Sequence, residues 1–451
     1  MNIFNIICFL LLGSTVLQTQ YAYSNNTQMV TKPLVASANP IINKNVPLLG
    51  KNGLYGLADR AGKIIVQPQY DYAPGFNSNG IAVASRNKKK GLINNEGKDL
   101  TPFEYDSDLG FADGAFLFRK KKPLLNNRLN EETYLLDETG KLVLTDADKP
   151  YKIESHLYQN RALVKTTEGY GYADRKGKLV IPAIYMPPSL MGTSSHWFQD
   201  GVATVRKRND RWILIDVNGK TITANDYYSI GGGHVLFSRK VWEGVFTYKT
   251  AEGKWGYLNK EGKEITPAVY DGVSLFREGM GKVWTKNGFP YKQGFVDKTG
   301  KEVIPLIYDV VNDFSEGLAA VQIQRKWGFI DKTGQTVIQP QFEFAGNFSE
   351  GLALASKNGK QGFINKKGEW VIAPQYGQTS GKFVEGLAGI NVNGKWGFID
   401  KTGKVVIEPK YVKYGLSDFE DGIKLFELGD YTLNNVQFIF IDKLGRAFIE
   451  Q

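Results

Sequence analysis

A short pattern that returns along almost the whole chain constrains the fold more than any other feature. A glycine recurs every 34 to 43 residues, and an Asp or Asn stands three residues before it each time. The eleven glycines are Gly62, Gly97, Gly140, Gly177, Gly219, Gly262, Gly300, Gly334, Gly368, Gly403 and Gly445. A period of this length indicates tandem copies of one small unit, stacked so that neighbours bury a shared core.

Each copy is predicted to be a set of short antiparallel strands. In the copy at residues 326–334, Trp327 and Phe329 alternate with Gly328, which is the period of a strand. The Asp-Lys-Thr-Gly segment that follows predicts a hairpin turn, because Asp bonds nearby amides and Gly accepts a positive φ. Further strands are expected around residues 337–342 and 348–354. We expect Gly328 to let a neighbouring aromatic ring approach the backbone.

The predicted fold is all-β, with tandem three- to four-stranded antiparallel meanders. Aromatic residues make up 13% of the chain, and no long stretch has helical apolar spacing. Two stackings satisfy the pattern: an open or spiral array, and a closed propeller-like ring. We favour the open array, because ten or more units exceed the usual number of propeller blades.

A Trp-Gly pair opens the best-formed copies, and it links the chain to a known family. The pair is intact at Trp255-Gly256, Trp327-Gly328 and Trp396-Gly397, and it is altered at Tyr55-Gly56, Tyr170-Gly171, Gln293-Gly294, Gln361-Gly362, Trp212-Ile213 and Tyr134-Leu135. Over roughly residues 48 to 451 the chain resembles the WG-repeat family of bacterial proteins. The resemblance implies a repeat-built binding or scaffold surface, often in exported proteins, and no shared catalytic residues.

The amino-terminal region predicts export. Residues 3–12 are almost entirely apolar and are followed by small residues, so residues 1–24 are interpreted as a signal peptide. Residues 25–47 are expected to form a flexible lead-in. Divergent repeats occupy residues 48–250, and regular repeats with a terminal hairpin occupy residues 251–451. We expect a periplasmic or extracellular, cell-surface protein with no transmembrane span in the mature chain. Cys8, the only cysteine, lies in the predicted signal peptide, so the mature chain has no disulfide.

Clustered cations are the predicted binding feature. The chain has 56 Lys and Arg against 46 Asp and Glu, a formal net charge of +10. Three clusters fall between a third strand and the next WG-type strand, and we expect these loops to form one basic edge that attracts an anionic partner. Its residues are Arg86, Lys88, Lys89, Lys90, Arg119, Lys120, Lys121, Lys122, Arg206, Lys207 and Arg208. The expected partner is an anionic envelope polymer, a lipid headgroup or an acidic protein. Nucleic acid is not expected for an exported chain.

A row of acidic residues and three tryptophans outside the repeat's core are further candidate sites. An acidic residue precedes the glycine that opens the third strand, at Asp113, Asp200, Glu278, Glu316, Glu350, Glu385 and Asp421. We interpret this carboxylate row as turn chemistry, with cation binding at one edge as the alternative. Trp197, Trp242 and Trp284 lie outside the repeat's core positions and are candidates for an exposed contact.

No motif for catalysis, a metal or a cofactor was found in the sequence. The three histidines, His156, His196 and His234, lie in different repeats, whereas zinc needs three or four converging ligands. The sequence therefore favours a non-enzymatic binding or scaffold protein of the bacterial cell envelope. Glycan or cell-wall binding through exposed aromatic residues is the first alternative. A hydrolase that uses the carboxylates of the repeat edge is the second.

Overall fold

The computed structural model describes residues 45–125, 128–187, 196–231, 243–285, 291–412, 418–428 and 437–449. Every regular element in these ranges is a β-strand, which confirms the predicted all-β class. The predicted signal peptide lies outside the described residues. The chain divides into two compact units, one of residues 1–149, 428–440 and 447–451, and one of residues 150–427 and 441–446.

The first unit contains three antiparallel sheets, numbered here in chain order. Sheet 1 comprises β1 (Asn45–Leu49), β2 (Tyr55–Asp59) and β3 (Ile64–Tyr70). Sheet 2 comprises β4 (Gly75–Phe76), β5 (Ile81–Arg86) and β6 (Lys89–Asn94). Sheet 3 comprises β7 (Ser107–Ala112), β8 (Ala115–Leu125), β9 (Arg128–Leu136) and β10 (Leu142–Thr145).

The second unit contains seven more sheets, in each of which the strands pair in chain order. Sheets 4 and 5 comprise β11 (Lys152–Tyr158), β12 (Arg161–Lys165), β13 (Tyr170–Ala173) and β14 (Leu179–Tyr185), then β15 (Val202–Arg206) and β16 (Trp212–Asp216). Sheets 6 and 7 comprise β17 (Ser229–Ile230), β18 (Val245–Lys249), β19 (Trp255–Asn259) and β20 (Glu264–Tyr270), then β21 (Gly272–Val273), β22 (Met280–Thr285), β23 (Lys292–Asp297) and β24 (Glu302–Tyr308).

Sheets 8 to 10 are the most regular. They comprise β25 (Val310–Val311), β26 (Leu318–Ile323), β27 (Lys326–Asp331) and β28 (Thr336–Phe342), then β29 (Phe344–Ser349), β30 (Leu352–Lys357), β31 (Lys360–Ile364) and β32 (Trp370–Tyr376), then β33 (Gln378–Thr379), β34 (Leu387–Val392), β35 (Lys395–Asp400) and β36 (Val405–Tyr411). Two further strands follow, β37 (Ile423–Leu428) and β38 (Gln437–Asp442).

Seven of the ten numbered sheets are four-stranded meanders, but each begins at a different strand from the one predicted. The strand that begins at Leu352 was predicted to be the third strand of the copy that begins at Lys326. Instead it is the second strand of sheet 9, where it pairs with the next WG-type strand. Pro340 in β28 explains the difference, because proline has no N–H to donate to a further strand. The fourth strand of each regular sheet is thus an edge.

The glycine of the Trp-Gly pair has a different role from the predicted one. A Cβ on Gly328 would lie 2.4 Å from the backbone oxygen of Ile338 and 2.7 Å from the nitrogen of Pro340. The register between β27 and β28 shifts beside this residue, which indicates a bulge. The close neighbour is therefore the backbone of the next strand, and the expectation of an aromatic ring was wrong for Gly328.

Consecutive sheets pack through a repeated pair of aromatic rings. Phe329 of sheet 8 is fully buried, and its ring centre lies 4.9 Å from that of Phe348 of sheet 9. The pairs Phe295–Phe314 and Phe363–Phe383 repeat this contact at 4.9 and 4.8 Å. The core is thus distributed between neighbouring sheets, and no sheet buries its apolar face alone.

Residues from the end of the chain complete sheet 1. The backbone nitrogen of Leu49 in β1 donates to the backbone oxygen of Phe448 at 3.2 Å, and Leu49 and Ile449 form a parallel bridge. Because β1 begins at Asn45, residues 45–47 belong to this sheet and not to the predicted lead-in. The apolar side chain of Val46 is fully buried in this sheet.

Candidate functional site

Two of the three cationic clusters lie at hairpins that lead into a WG-type strand. Asn87 and Lys88 form the turn between β5 and β6, both with a positive φ. Lys207 and Arg208 lie in the turn between β15 and β16. These positions match the predicted loops, and each hairpin joins a strand to the WG-type strand that follows it.

The third cluster is not a loop. Residues 119–122 run through the middle of β8, where Lys120 lies opposite Glu132 and Lys121 opposite Glu131 in β9. Opposite charges across an antiparallel pair favour the extended conformation. The expectation that this cluster forms a loop was therefore wrong, because the hairpin of β8 and β9 is longer than in the other sheets.

Most of the predicted basic edge is paired with carboxylates. Eight of the eleven cations have a carboxylate oxygen within 4.0 Å. The pairs are Arg86–Asp99, Lys89–Asp106, Lys90–Asp108, Arg119–Glu131, Lys120–Glu104, Lys122–Glu132, Arg206–Asp210 and Lys207–Asp226. The hydrogen bonds from Lys89 and Lys207 hold the pKa values of Asp106 and Asp226 below their usual range.

The pairing lowers the positive field around these clusters. Residues 45–149 hold 15 Lys and Arg against 14 Asp and Glu. Asp71 and Asp106 also accept hydrogen bonds from the backbone amides of Lys88 and Lys121, each at 2.8 Å, so carboxylates are built into the same edge. These clusters are therefore of mixed charge, and within them Lys88 and Lys121 of the first unit and Arg208 of the second unit are exposed.

The carboxylate row forms turns, as the favoured interpretation predicted. Glu316 and Gly317 both have a positive φ, 54° and 87°, and the flanking residues Ser315 and Leu318 exchange backbone hydrogen bonds. This is the geometry of a type I′ hairpin turn. The other residues of the row, Asp113, Asp200, Glu278, Glu350, Glu385 and Asp421, also have a positive φ.

The glutamates of the row also join each sheet to the next, which the sequence alone did not reveal. The carboxylate of Glu278 in sheet 7 accepts hydrogen bonds from the amides of Glu316 and Gly317 in sheet 8, at 2.6 and 2.9 Å. It also forms an ion pair with Lys332 of sheet 8 at 3.2 Å. One side chain thus binds two hairpin turns of the neighbouring sheet.

The same three-way contact recurs along the second unit, and we call it the glutamate ladder. Its members are Glu243 with Gly279 and Lys298, Glu278 with Gly317 and Lys332, Glu316 with Gly351 and Lys366, Glu350 with Gly386 and Lys401, and Glu385 with Gly422 and Lys443. Glu243 was missed in the sequence, although Glu243-Gly244 carries the same signal. In the ladder each of these carboxylates accepts a backbone hydrogen bond and forms an ion pair with a lysine.

The remaining candidates are divided between core and surface. His156 is buried in β11 and His196 is buried in the segment before β15, and the described residues contain no group of three or more side chains suited to hold a metal ion. Trp197 is 39% exposed, and its ring lies 5.5 Å from that of Tyr158, whereas Trp284 is half-buried. His234 and Trp242 lie outside the described residues. Within the described ranges, no helix is long and apolar enough to cross a membrane.

Comparison with solved structures finds β proteins of low sequence identity. A eukaryotic initiation factor is 10% identical, with 72% of this chain and 94% of that chain covered and a TM-score of 0.40. BamB from Moraxella catarrhalis is 12% identical over 66% of this chain and 95% of that chain, with a TM-score of 0.29. AztD from Citrobacter koseri is 12% identical over 72% and 91%, with a TM-score of 0.30. No curated protein matches the chain.

Comparison with protein families gives a match at seven places. The family described as WG containing repeat matches residues 55–89, 170–185, 255–286, 294–327, 327–360, 362–396 and 396–430. Two longer stretches without a match, residues 90–169 and 186–254, hold the copies at Tyr134-Leu135 and Trp212-Ile213, where the Trp-Gly pair is lost. The matched segments coincide with the WG-type strands and the hairpins around them, so the chain belongs to the WG-repeat family.

Proposed function

We propose that the protein is a non-enzymatic, repeat-built binding scaffold of the bacterial cell envelope. The glutamate ladder is the observation that supports this function. Its carboxylates are the acids on which a hydrolase would depend, and they bind backbone amides and lysines of the next sheet. A carboxylate held in this way stabilises the array and is not poised to transfer a proton.

Export is part of the proposal and rests on the apolar segment at residues 3–12. Cells that express the full chain should release or display a protein that starts near residue 25. Amino-terminal sequencing of the exported protein measures this directly. A chain that stays in the cytoplasm with Met1 intact would contradict the envelope location.

The proposed partner is anionic and contacts exposed cations of the predicted basic edge within each unit, Lys88 and Lys121 in the first and Arg208 in the second. Lys88 and Arg208 lie at hairpin turns, and Lys121 lies on the long hairpin of β8 and β9. Because most neighbouring cations are paired with carboxylates, attraction at long range is weak. Recognition then depends on direct contact with an acidic polymer, an anionic headgroup or an acidic protein surface.

A variant with matched charge tests this contact. The full exported chain carrying Lys88→Gln, Lys121→Gln and Arg208→Gln is compared with one carrying Lys98→Gln, Lys141→Gln and Lys220→Gln. The second set loses the same charge at exposed positions beside the Asp-x-x-Gly turns. Binding is measured to a polyuronate, to vesicles of anionic lipid and to an acidic protein, over a range of salt concentrations.

The first variant should bind at least one probe about tenfold more weakly, a change of about 1.4 kcal/mol, while the control binds like the original chain. Binding should also fall as salt rises, because exposed charges are screened. Equal losses in both variants would show that net charge, and not this edge, is responsible. Failure of the original chain to bind any of the probes at low salt would overturn the anionic partner.

A further inference from the structure

A groove runs along four consecutive sheets of the second unit. Its volume is about 580 Å³, and its lining comes from sheets 7, 8, 9 and 10. In sheets 8 and 10 the lining residues lie in the segment that leads from the first strand to the second, and in sheet 9 they lie at the end of the first strand, β29. Asn312, Asn347 and Ser380 are examples from three successive sheets. A groove built from equivalent positions of a repeat suits a ligand that is itself a chain.

The positions that line the groove vary between repeats, whereas the positions behind them do not. Each segment contains a buried phenylalanine, Phe314, Phe348 or Phe383. The residue directly before it is Asp313 in sheet 8, Asn347 in sheet 9 and Lys382 in sheet 10, and all three line the groove. Packing fixes the phenylalanine, because its ring fills the space between sheets. The residue before it contributes little to that packing and is free to determine what the groove binds.

Both lysines of the lining are paired with carboxylates. Lys282 lies 3.7 Å from Asp313, and Lys382 lies 2.8 Å from Asp418. A charged ligand would have to compete with these pairs, which costs part of the energy that it gains. The lining therefore favours a ligand without net charge, in contrast to the exposed cations of the basic edge.

The hydroxyl groups of the lining donate their protons to the protein. Ser315 donates to the backbone oxygen of Phe348, and Ser349 donates to that of Phe383, each at 2.7 Å. Ser380 donates to the backbone oxygen of Lys382 at 3.1 Å and accepts from the amide of Gly389 at 2.8 Å, which leaves it one lone pair. A serine hydroxyl has one proton and two lone pairs. These side chains therefore present oxygen acceptors, which match a ligand rich in hydrogen-bond donors.

The apolar part of the lining is small. Phe348 is the aromatic residue in it, and this residue is 1% exposed because its ring packs on Phe329. An extended peptide gains affinity from pockets for its side chains or from an unpaired strand edge. The residues of this groove supply hydroxyl, amide and paired charged groups instead, which fit the many hydroxyls of a sugar chain.

We infer that this groove binds an internal segment of a neutral, linear, hydroxyl-rich glycan. The site is made of other residues than the basic edge, so the two can be tested separately. Without an exposed ring for stacking, a short oligosaccharide binds weakly, and affinity grows as a longer chain covers more of the four sheets. Through this groove the scaffold would bind uncharged polysaccharide.

A bulky substitution in the groove tests the inference, and the same substitution at an exposed position outside the groove is its control. Asn347 is exposed and lines the groove, so Asn347→Trp fills it without removing a core contact. Gln341→Trp adds the same side chain at an exposed position of β28, outside the lining. The original full chain and both variants are applied to an array of neutral and charged glycans and to an array of extended peptides. Hits are then titrated by calorimetry.

The expected result is saturable binding of the original chain to a neutral linear glycan, tighter for longer chains. Asn347→Trp should weaken it at least about tenfold, a change of about 1.4 kcal/mol, and Gln341→Trp should leave it within about twofold. Substituting Lys88, Lys121 and Arg208 should not change it. The inference would be overturned if the chain bound only charged glycans, bound only peptides, or bound nothing on either array. It would also be overturned if the two tryptophan substitutions had equal effects.

Discussion

The carboxylate of Glu350 accepts a hydrogen bond from the backbone amide of Gly386, 2.9 Å away in the next sheet. The same carboxylate forms an ion pair with Lys401 at 3.0 Å. Glu350→Gln keeps the shape of the side chain but removes the charge that both donors share. We expect it to lower the free energy of unfolding by about 1 to 3 kcal/mol, as measured by urea denaturation.

Glu408→Gln is the control, because Glu408 is exposed on the outer strand β36. It should change the free energy of unfolding by less than about 0.5 kcal/mol. If both substitutions had the same effect, the glutamate ladder would contribute nothing beyond net charge.

The ladder also predicts how stability depends on pH. Burial raises the pKa of Glu350, but hydrogen bonds from Lys401 and from the amide of Gly386 lower it by more, so that the pKa falls below its usual 4.5. A carboxyl whose pKa is lowered by folding stabilises the protein above its unfolded pKa. That contribution should be lost as pH falls below about 4.5 and through the folded pKa. The original chain should therefore lose more stability than Glu350→Gln between pH 5 and pH 3, measured by thermal unfolding.

The glycine of the Trp-Gly pair should be needed for space and not for its φ. A Cβ on Gly328 would meet backbone atoms of β28 at 2.4 Å, whereas a Cβ on Gly317 would meet nothing within 4 Å. Gly328→Ala should destabilise the protein by about 3 kcal/mol, because the bulge must move. Gly317→Ala has only the strain of a positive φ, about 1 to 2 kcal/mol. Chemical denaturation of both variants gives the comparison, and a larger effect at Gly317 would contradict the steric argument.

The carboxyl-terminal residues should stabilise sheet 1. Phe448 is 4% exposed, and its backbone oxygen accepts the hydrogen bond from Leu49. Phe448→Ala should cost about 3 to 5 kcal/mol within the first unit. Hydrogen exchange at the Leu49 amide should then become much faster. Leu444→Ala, at a side chain that is 67% exposed, should leave that exchange unchanged. Equal protection of Leu49 in all three proteins would show that the chain end is not holding β1.

A buried lysine should weaken the end of the regular repeats at neutral pH. Lys424 is 1% exposed, and its Nζ lies 5.6 Å from the ring centres of Phe398 and Phe426. Burial lowers the pKa of Lys424 to about 8. Because the unfolded chain keeps its proton up to the ordinary value of 10.5, stability should rise with pH between about 8 and 10.5.

Lys424→Met should abolish this rise and should raise the thermal midpoint at pH 7, because the charged form no longer has to be buried. The exposed Lys404→Met is the control, and it should keep the rise. A lower midpoint for Lys424→Met at pH 7 would mean that the ammonium group is stabilised by its surroundings.

Much of the repeat could be predicted from local chemistry. Asp331 accepts hydrogen bonds from the amides of Thr333 and Gln335, at 2.9 and 3.0 Å, as the Asp-x-x-Gly signal indicated. Trp327 and Phe329 are buried together, as their alternation indicated. Such features depend on residues that are two to five positions apart, and a single sequence contains that information.

The pairing between distant segments could not be predicted in the same way. Lys89 meets Asp106, which is 17 residues away, and the ladder joins glutamates to amides at least 35 positions away and to lysines at least 50 positions away. The sequence showed the cations of the basic edge as a cluster, but it did not show that carboxylates from the next strands lie against them. Nor did periodicity indicate that Phe448 and Leu49 are neighbours, because that contact lies outside the repeat.

The glutamate ladder has a consequence for how such chains change in length. The carboxylate of each of these glutamates binds the next sheet, and Glu278, Glu316 and Glu350 do so in the same way. Removing or duplicating one whole period inside sheets 7 to 10 therefore rejoins two surfaces that already fit each other. Gene duplication and unequal recombination then yield longer or shorter arrays whose new junctions are already stable, so that the number of repeats can drift while the architecture of each sheet is kept.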